Sequence, residues 1–232
     1  MIAQNREIDI TKYLSNIWPL LSNTEQALVK EQIKIKTFRR NEIIYHEGEE
    51  ATQLMCLFRG KVKIYKEGIG GRNQIMRLIR PVQYFGYRAY FASETYLTEA
   101  AAFESSTIAF IPMKLIEYLI RSNNALAMFF IRELSIDLGE SDERTVNLTQ
   151  KHIRGRLADS LICLLDKYGT EADGCTINIY LAREDLANLS NMTTSNAIRT
   201  LSSFCSEGVL TVDGRRIKII DEDKLRKIKR FG

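Results

Sequence analysis

Hydrophobic and polar positions change period twice along the chain, from strand-like to helical and back. From Ile35 to Pro112 the apolar residues come in short runs, KTF, EIIYHEGE, QLMCLFRG, KVKIYKEG, NQIMRLIRP, YFGY and STIAFIP, parted by glycines and charged turns. Runs of that length, rich in Val, Ile, Tyr and Phe, predict a small antiparallel β-barrel or jelly roll. Gly48, Gly60 and Gly86 stand at the ends of runs, where a turn or a close backbone approach needs no side chain. Gly68 to Asn73, GIGGRN, lacks a full GxGxxG and opens no helix, so it reads as a hairpin turn.

From Asn124 to about Leu148 the spacing becomes helical. Leu126, Phe130, Leu134, Leu138, Ser141, Thr145 and Leu148 recur three and four apart, which predicts a helix about 37 Å long. Leu126, Phe130, Leu134 and Leu138 are the expected seam with a second copy of the helix. An amphipathic helix packed on its own domain has the same pattern, and the Met128 to Ile131 cluster, apolar all round, suits both. The polar end, GESDERTVNLTQ, predicts a hinge near Asn147 to Lys151.

From Leu181 to Phe204 two short helices are predicted on either side of a tight turn. Leu186, Leu189 and small Ala187 supply the apolar side of the first, and Asn191 suits the left-handed turn. Thr193 is the expected N-cap of the second, whose Ala197, Ile198 and Leu201 are expected to bury its far side. Thr194, Ser195, Asn196 and Arg199 are left facing outward, where they can enter a major groove and Arg199 can pair with guanine. A plain helical hairpin with a solvated polar face shares this pattern. Past Glu207-Gly208, Val209 to Val212 and Arg216 to Ile220 flank Asp213-Gly214, a hairpin signal. This would be a wing, with Arg215 and Arg216 at its tip and Arg183 at the front of the first helix reaching phosphate. A ribbon that merely covers the hairpin core is the other reading, and both can hold.

Composition narrows the picture modestly. A chain of 232 residues with 45% hydrophobic positions can bury a real core in one large or two modest domains. No apolar stretch approaches the ~20 residues of a bilayer span, and MIAQNREID lacks a signal-peptide pattern, so a cytoplasmic protein with no membrane partner is expected. Cys56, Cys163, Cys175 and Cys205 are scattered without CxxC pairing, which favours reduced thiols over disulfides or a metal site. The net charge is +4, and from Lys151 onward 14 Lys/Arg stand against 11 Asp/Glu, too slight an excess to argue for DNA alone. There is no nucleophile–base set, no HExxH, no phosphate loop and no carboxylate pair placed in a cleft, so no catalytic residues are assigned.

With these residues in place, the stretch from Leu181 to Ile219 resembles, without a gap, the DNA-binding domain of the catabolite-activator (CRP/FNR) family of bacterial transcription regulators. Gly48-Glu49, Arg59-Gly60-Lys61-Val62 and Phe85-Gly86 resemble its cyclic-nucleotide-binding β-roll. The resemblance implies an α+β chain with a β-roll effector domain over residues 1–122, a dimerisation helix and hinge over 123–150, and a winged helix-turn-helix over 151–232. It implies phosphate contact by Arg183 and guanine reading by Arg199. The family's usual Arg and Glu at the start of the recognition helix are here Thr194 and Ser195, so a different operator is expected. Implied partners are double-stranded DNA, a second copy, RNA polymerase and a small-molecule effector. A β-roll module acting through protein partners is the alternative.

The effector site departs from the family pattern. After Gly86, the Glu that binds ribose is replaced by Tyr87, and the Arg that binds the cyclic phosphate by Leu97, followed by Thr98. A buried phosphate without that cation would lose charge-assisted hydrogen bonds of about 1.5–3 kcal/mol each, so cAMP binding in the usual mode is not expected. Arg88 is a substitute anion ligand to be weighed. Tyr84, Phe85, Tyr87, Tyr90, Phe91 and Tyr96 suit either an aromatic-lined pocket or core packing. No cofactor is expected: nothing precedes Cys56 to hold the iron–sulfur cluster of some members. His46 and His152 lack a paired ligand for the haem of another.

Overall fold

The computed structural model describes residues 9–68 and 70–232. Its helices are α1 (Ile10–Tyr13), α2 (Asn23–Gln32), α3 (Tyr87–Phe91), α4 (Met113–Ser122), α5 (Asn124–Gln150), α6 (Ile153–Tyr168), α7 (Arg183–Leu189), α8 (Thr194–Ser206) and α9 (Glu222–Phe231). Its strands are β1 (Lys34–Phe38), β2 (Ile43–Tyr45), β3 (Gln53–Arg59), β4 (Val62–Glu67), β5 (Asn73–Ile79), β6 (Tyr84–Phe85), β7 (Glu99–Ala102), β8 (Ser106–Pro112), β9 (Leu210–Asp213) and β10 (Arg216–Ile219). The described residues form two compact units, one over 9–66 and 77–136, the other over 67–76 and 137–232.

The first unit is the predicted β-roll. Two four-stranded sheets run in the orders β1-β8-β3-β6 and β2-β7-β4-β5. Strand β3 shows why QLMCLF reads as an unbroken apolar run: both of its faces are buried. Met55 and Leu57 join a core with Val62, Ile64, Phe85 and Ile108. Leu54, Cys56 and Phe58 turn the other way, into a core capped by Leu14, Ile17, Val29, Ile116 and Leu119 of the flanking helical segments. Burial there pushes the Cys56 thiol up to about 12, so it stays protonated and apolar in character.

That second core also corrects the expected seam. Leu126 and Phe130 are 0% and 2% exposed and lie inside it, with Leu134 packed against its edge. Phe130 meets Tyr87 edge-on at 5.2 Å, and Phe129 meets Tyr84 at 5.5 Å. Side chains already buried in their own chain cannot also form an interface. Of the four expected residues only Leu138, at 64%, is open.

The helix itself runs unbroken to Gln150, and the two units part inside it, between residues 136 and 137, rather than at Asn147 to Lys151. Its C-terminal half lies in the second unit and is held to α6 by polar groups. Lys167 Nζ pairs with Glu140 at 2.9 Å, Asn147 Nδ2 donates to Asp159 at 3.3 Å, and Lys151 lies 3.4 Å from the same carboxylate. The polar segment read as leading to a hinge is thus held on one side by α6.

Arg144 is the deepest of these polar groups. Its guanidinium donates to the Met76 carbonyl at 2.7 Å, the Ile75 carbonyl and the Leu189 carbonyl at 3.0 Å, while its Nε is buried without a partner. Burial pulls its pKa down, but a guanidinium stays charged in any protein. One desolvated cation therefore ties Ile75 and Met76, in the part of β5 that belongs to the second unit, to the end of α7.

Elsewhere in this unit α6 lies beneath α7, α8 and α9. Gly155 admits the end of α9, since a Cβ there would meet the Gly232 carbonyl oxygen at 2.1 Å. Ser160 and Ser190, both buried, satisfy each other at 2.8 Å. Arg154 stacks 4.9 Å from the Phe204 ring and pairs with Glu207 at 2.8 Å, holding the end of α8. The Glu207 carboxyl is held down to about 2, by Arg154 first and then Ser203.

Replacing Arg144 by Ala removes hydrogen bonds from a charged donor, each worth about 1.5–3 kcal/mol. Amide exchange at residues 74–77 and 188–192 should then quicken at least about tenfold, while α4 amides keep their protection. Unchanged exchange at both segments would mean that the guanidinium holds neither.

Candidate nucleic-acid interface

The first helix of the pair, α7, turns Leu186, Ala187 and Leu189 inward, as their spacing predicts. Asn191 takes φ 48°, and the Met192 amide donates to the Ala187 carbonyl at 3.0 Å, which fixes the turn. Thr193 Oγ1 then accepts the Asn196 amide at 3.2 Å, so the second helix starts where its cap predicts. These local bonds set the register of everything after them.

On α8, Ala197, Thr200, Leu201 and Phe204 face inward. Thr194, Ser195 and Arg199 are exposed, with Asn196 at the edge of the face. The Arg199 guanidinium donates to Asn196 Oδ1, which holds it over the first turn. Ile198 departs from expectation: it is 46% exposed on the outer face. The periodicity contained the signal, because Ala197 and Leu201 lie four apart on one side and Ile198 falls about 100° from Ala197.

The wing forms as its turn signal predicts. Ile217 pairs with Val212 and Lys218 with Thr211, and the turn carries Gly214 at φ 55°. Arg183, at the start of α7, donates to the Gly214 carbonyl at 2.8 Å. Residues 31 apart in sequence are thereby joined, so the first helix and the wing tip present one basic edge with exposed Arg215. Arg216 is held differently. It stacks on Tyr180 at 5.5 Å and lies 3.7 Å from the Glu171 carboxylate, and the Tyr180 hydrogen bond leads in raising its pKa. Sequence reading missed Tyr180 and Glu171, because nothing local marks a partner 36 or 45 positions away.

The expected effector residues differ in burial. Tyr87 is 2% exposed in the core beside Phe130, whereas Leu97 is 49% exposed. Arg88 is on the surface, paired with Glu94 at 3.1 Å. Gly86 takes φ 86° to start α3, and a Cβ there would meet Met55 Cε at 2.5 Å and the Tyr96 hydroxyl at 3.2 Å. Tyr96 stacks on Tyr45 with centroids 3.8 Å apart, and burial raises the pKa of both phenols. Thr98 stands beside Tyr45 and lowers its pKa by a hydrogen bond, against the larger effect of burial. Of the two readings left open for the aromatics, core packing describes Tyr84, Phe85, Tyr87 and Tyr96.

Among the described residues, no group of three or more His, Cys, Asp and Glu side chains is placed to hold a metal ion, and no helix is long and apolar enough to cross a membrane.

Residues 35–123 match the cyclic nucleotide-binding domain model, and residues 155–228 match the Crp-like helix-turn-helix domain model. The CRP-like cAMP-activated global transcriptional regulator of Mycobacterium tuberculosis is 24% identical over 208 residues, 87% of this chain and 90% of that protein. The anaerobic regulatory protein of Bacillus subtilis is 25% identical over 196 residues, 84% and 82% of the two chains. The structure of FixK2 from Bradyrhizobium japonicum shares the fold with a TM-score of 0.77 at 21% identity, covering 84% of this chain and 96% of that one. With a nucleotide-binding-type β-roll, a long helix and a winged helix-turn-helix in that order, the chain belongs to the CRP/FNR family of DNA-binding transcription regulators.

Proposed function

We propose that this chain regulates transcription as a homodimer bound to an inverted-repeat operator, with Arg199 reading a base edge and Arg183, Arg215 and Arg216 positioning the protein on phosphate. The observation that carries this is the outer face of α8. A capped helix start presents Thr194, Ser195 and Arg199 together, and the Arg183–Gly214 bond brings the wing tip alongside the first helix. Thr193 acts through its cap, which leaves its hydroxyl occupied by the Asn196 amide. Double-stranded DNA, RNA polymerase and an effector of unidentified chemistry are the partners of this reading, and it places the chain in the cytoplasm.

The dimer seam runs along the outer side of α5. Met128, Ile131 and Leu138 recur three and seven apart and are 60%, 53% and 64% exposed. Ser135 and Gly139 lie between and beside them, and a Cβ at Gly139 would meet nothing within 4 Å. A mid-helix glycine costs about 0.5–1 kcal/mol against alanine, a cost that close approach of a second helix offsets.

The β-roll does not take cAMP in the usual mode of the family. Tyr87 and the Tyr45–Tyr96 stack are core, and Lys66, which donates to the Leu97 carbonyl at 3.1 Å, is paired with Glu47 at 2.7 Å. Regulation then works by population shift: an effector moves the equilibrium between two states only by its differential affinity for them.

Selection from random DNA with the purified protein should return an inverted repeat with half-site centres about 34 Å apart. On that operator Arg199→Ala should cost about 1–3 kcal/mol and relax preference at one symmetric pair of positions. Arg183→Ala and Arg215→Ala should weaken all sequences alike and lower the salt slope by about one unit for every phosphate that each subunit ceases to neutralise. A selection without an inverted repeat, or an Arg199→Ala protein with unaltered base preference, overturns the assignment.

Light scattering at micromolar concentration should give a dimer for the wild type and a monomer of native helix content for Ile131→Asp combined with Leu138→Asp. A monomeric wild type removes the seam. Calorimetry with millimolar cAMP should show no saturable heat, and micromolar affinity would show that Tyr87 and Tyr96 yield their places.

A further inference from the structure

We infer that Ile198 reads a thymine methyl group in the operator, an inference that rests on the DNA-binding role proposed for α8. Ile198 is the one large apolar side chain exposed on α8 among the described residues. Its neighbours in space on the outer face are polar: Thr194 and Ser195 before it, Arg199 and Ser202 after it, all exposed. At 3.6 residues per turn it lies about 60° from Ser195 and about 40° from Thr194, inside the arc that faces outward and on the side away from Arg199. The opposite arc of Ala197, Leu201 and Phe204 is closed, so Ile198 cannot turn into the core of its own unit.

An isoleucine in that place does nothing for the free chain. It leaves apolar area in water, and its branched Cβ makes it a poorer helix former than alanine. Against DNA its chemistry is selective. The major-groove edges of guanine, cytosine and adenine offer only donors and acceptors, whereas thymine adds a C5-methyl group. Opposite the other three bases, the isoleucine would strip water from a polar edge and return no hydrogen bond. Opposite thymine, it covers a methyl.

Geometry also bounds where that thymine stands. Adjacent Cα atoms are about 3.8 Å apart, close to the ~3.4 Å step between base pairs, so the thymine lies within about two base pairs of the base read by Arg199. Replacing both family side chains at the helix start by the short hydroxyls Thr194 and Ser195 lets this side chain approach the groove floor.

The test uses the full-length protein and its selected operator, with each thymine replaced in turn by deoxyuridine. That base keeps every hydrogen-bonding group and lacks only the methyl. Fluorescence anisotropy should show one symmetric thymine pair, within two base pairs of the Arg199-dependent position, at which deoxyuridine weakens wild-type binding about fourfold per half-site, the worth of one buried methyl. Ile198→Ala should bind the thymine and deoxyuridine operators equally, Ile198→Val should keep part of the difference, and Arg199→Ala should keep all of it. The inference falls if the wild type ignores deoxyuridine throughout that window while Arg199 still sets a base preference, or if Ile198→Ala retains the methyl sensitivity. A protein that selects no operator overturns the DNA-binding reading itself and this inference with it.

Discussion

One helix has to satisfy two sets of neighbours, and the rest of the molecule follows from how α5 does so. Its first half is an apolar plug: Leu126 and Phe130 complete the core beneath β3, and Leu134 seals its edge. Its second half is held by Glu140, Arg144 and Asn147 through ion pairs and hydrogen bonds to the second unit. Apolar burial is non-directional and worth about 1.5–3 kcal/mol per large side chain, whereas surface ion pairs contribute little. The two halves are therefore anchored unequally, and the division between units falls where one kind of anchoring gives way to the other.

In the helix-turn-helix and its wing, order is set by bonds within the chain. The Thr193 cap, the Asn191 turn and the Arg183–Gly214 bond hold helix start and wing tip in one arrangement, so little side-chain entropy remains to be given up there on binding. The wing's two arginines are not equivalent. Arg216 is engaged by Glu171 and Tyr180 of its own domain, whereas Arg215 stands exposed at the tip. A carboxylate beside a cation weakens its attraction for any other anion.

In the β-roll, Tyr87 and Leu97 stand where the family resemblance leads one to expect a Glu and an Arg. Tyr87 is directed into the core by the left-handed Gly86 that starts α3, and its ring packs on Phe130 of α5. The family glycine is thus retained for a backbone reason, close approach to Met55 and Tyr96, although the residue after it has a different task. The contact with Phe130 places Tyr87 in the same core as the first half of α5.

The sequence alone sufficed wherever structure is decided by near neighbours. The Asn191 turn, the Thr193 cap, the Asp213-Gly214 hairpin and the full-length α5 follow from bonds made within a few residues, and the β-roll from short runs of strand-forming residues. It was silent on Glu99–Ala102, a strand of three alanines that pairs only because β2 and β4 flank it. It also missed Tyr87–Phe91, which reads as part of an aromatic strand and folds as a helix after Gly86. Only tertiary structure decided which side of α5 turns inward, because a helix apolar all round carries no record of the surface it will meet. The same holds for Ile198 at the rim of the α8 core, for Arg144 with its acceptors 45 and 69 residues away, and for Arg216 with Glu171. Those pairings depend on where the chain returns in space, and local chemistry does not encode that.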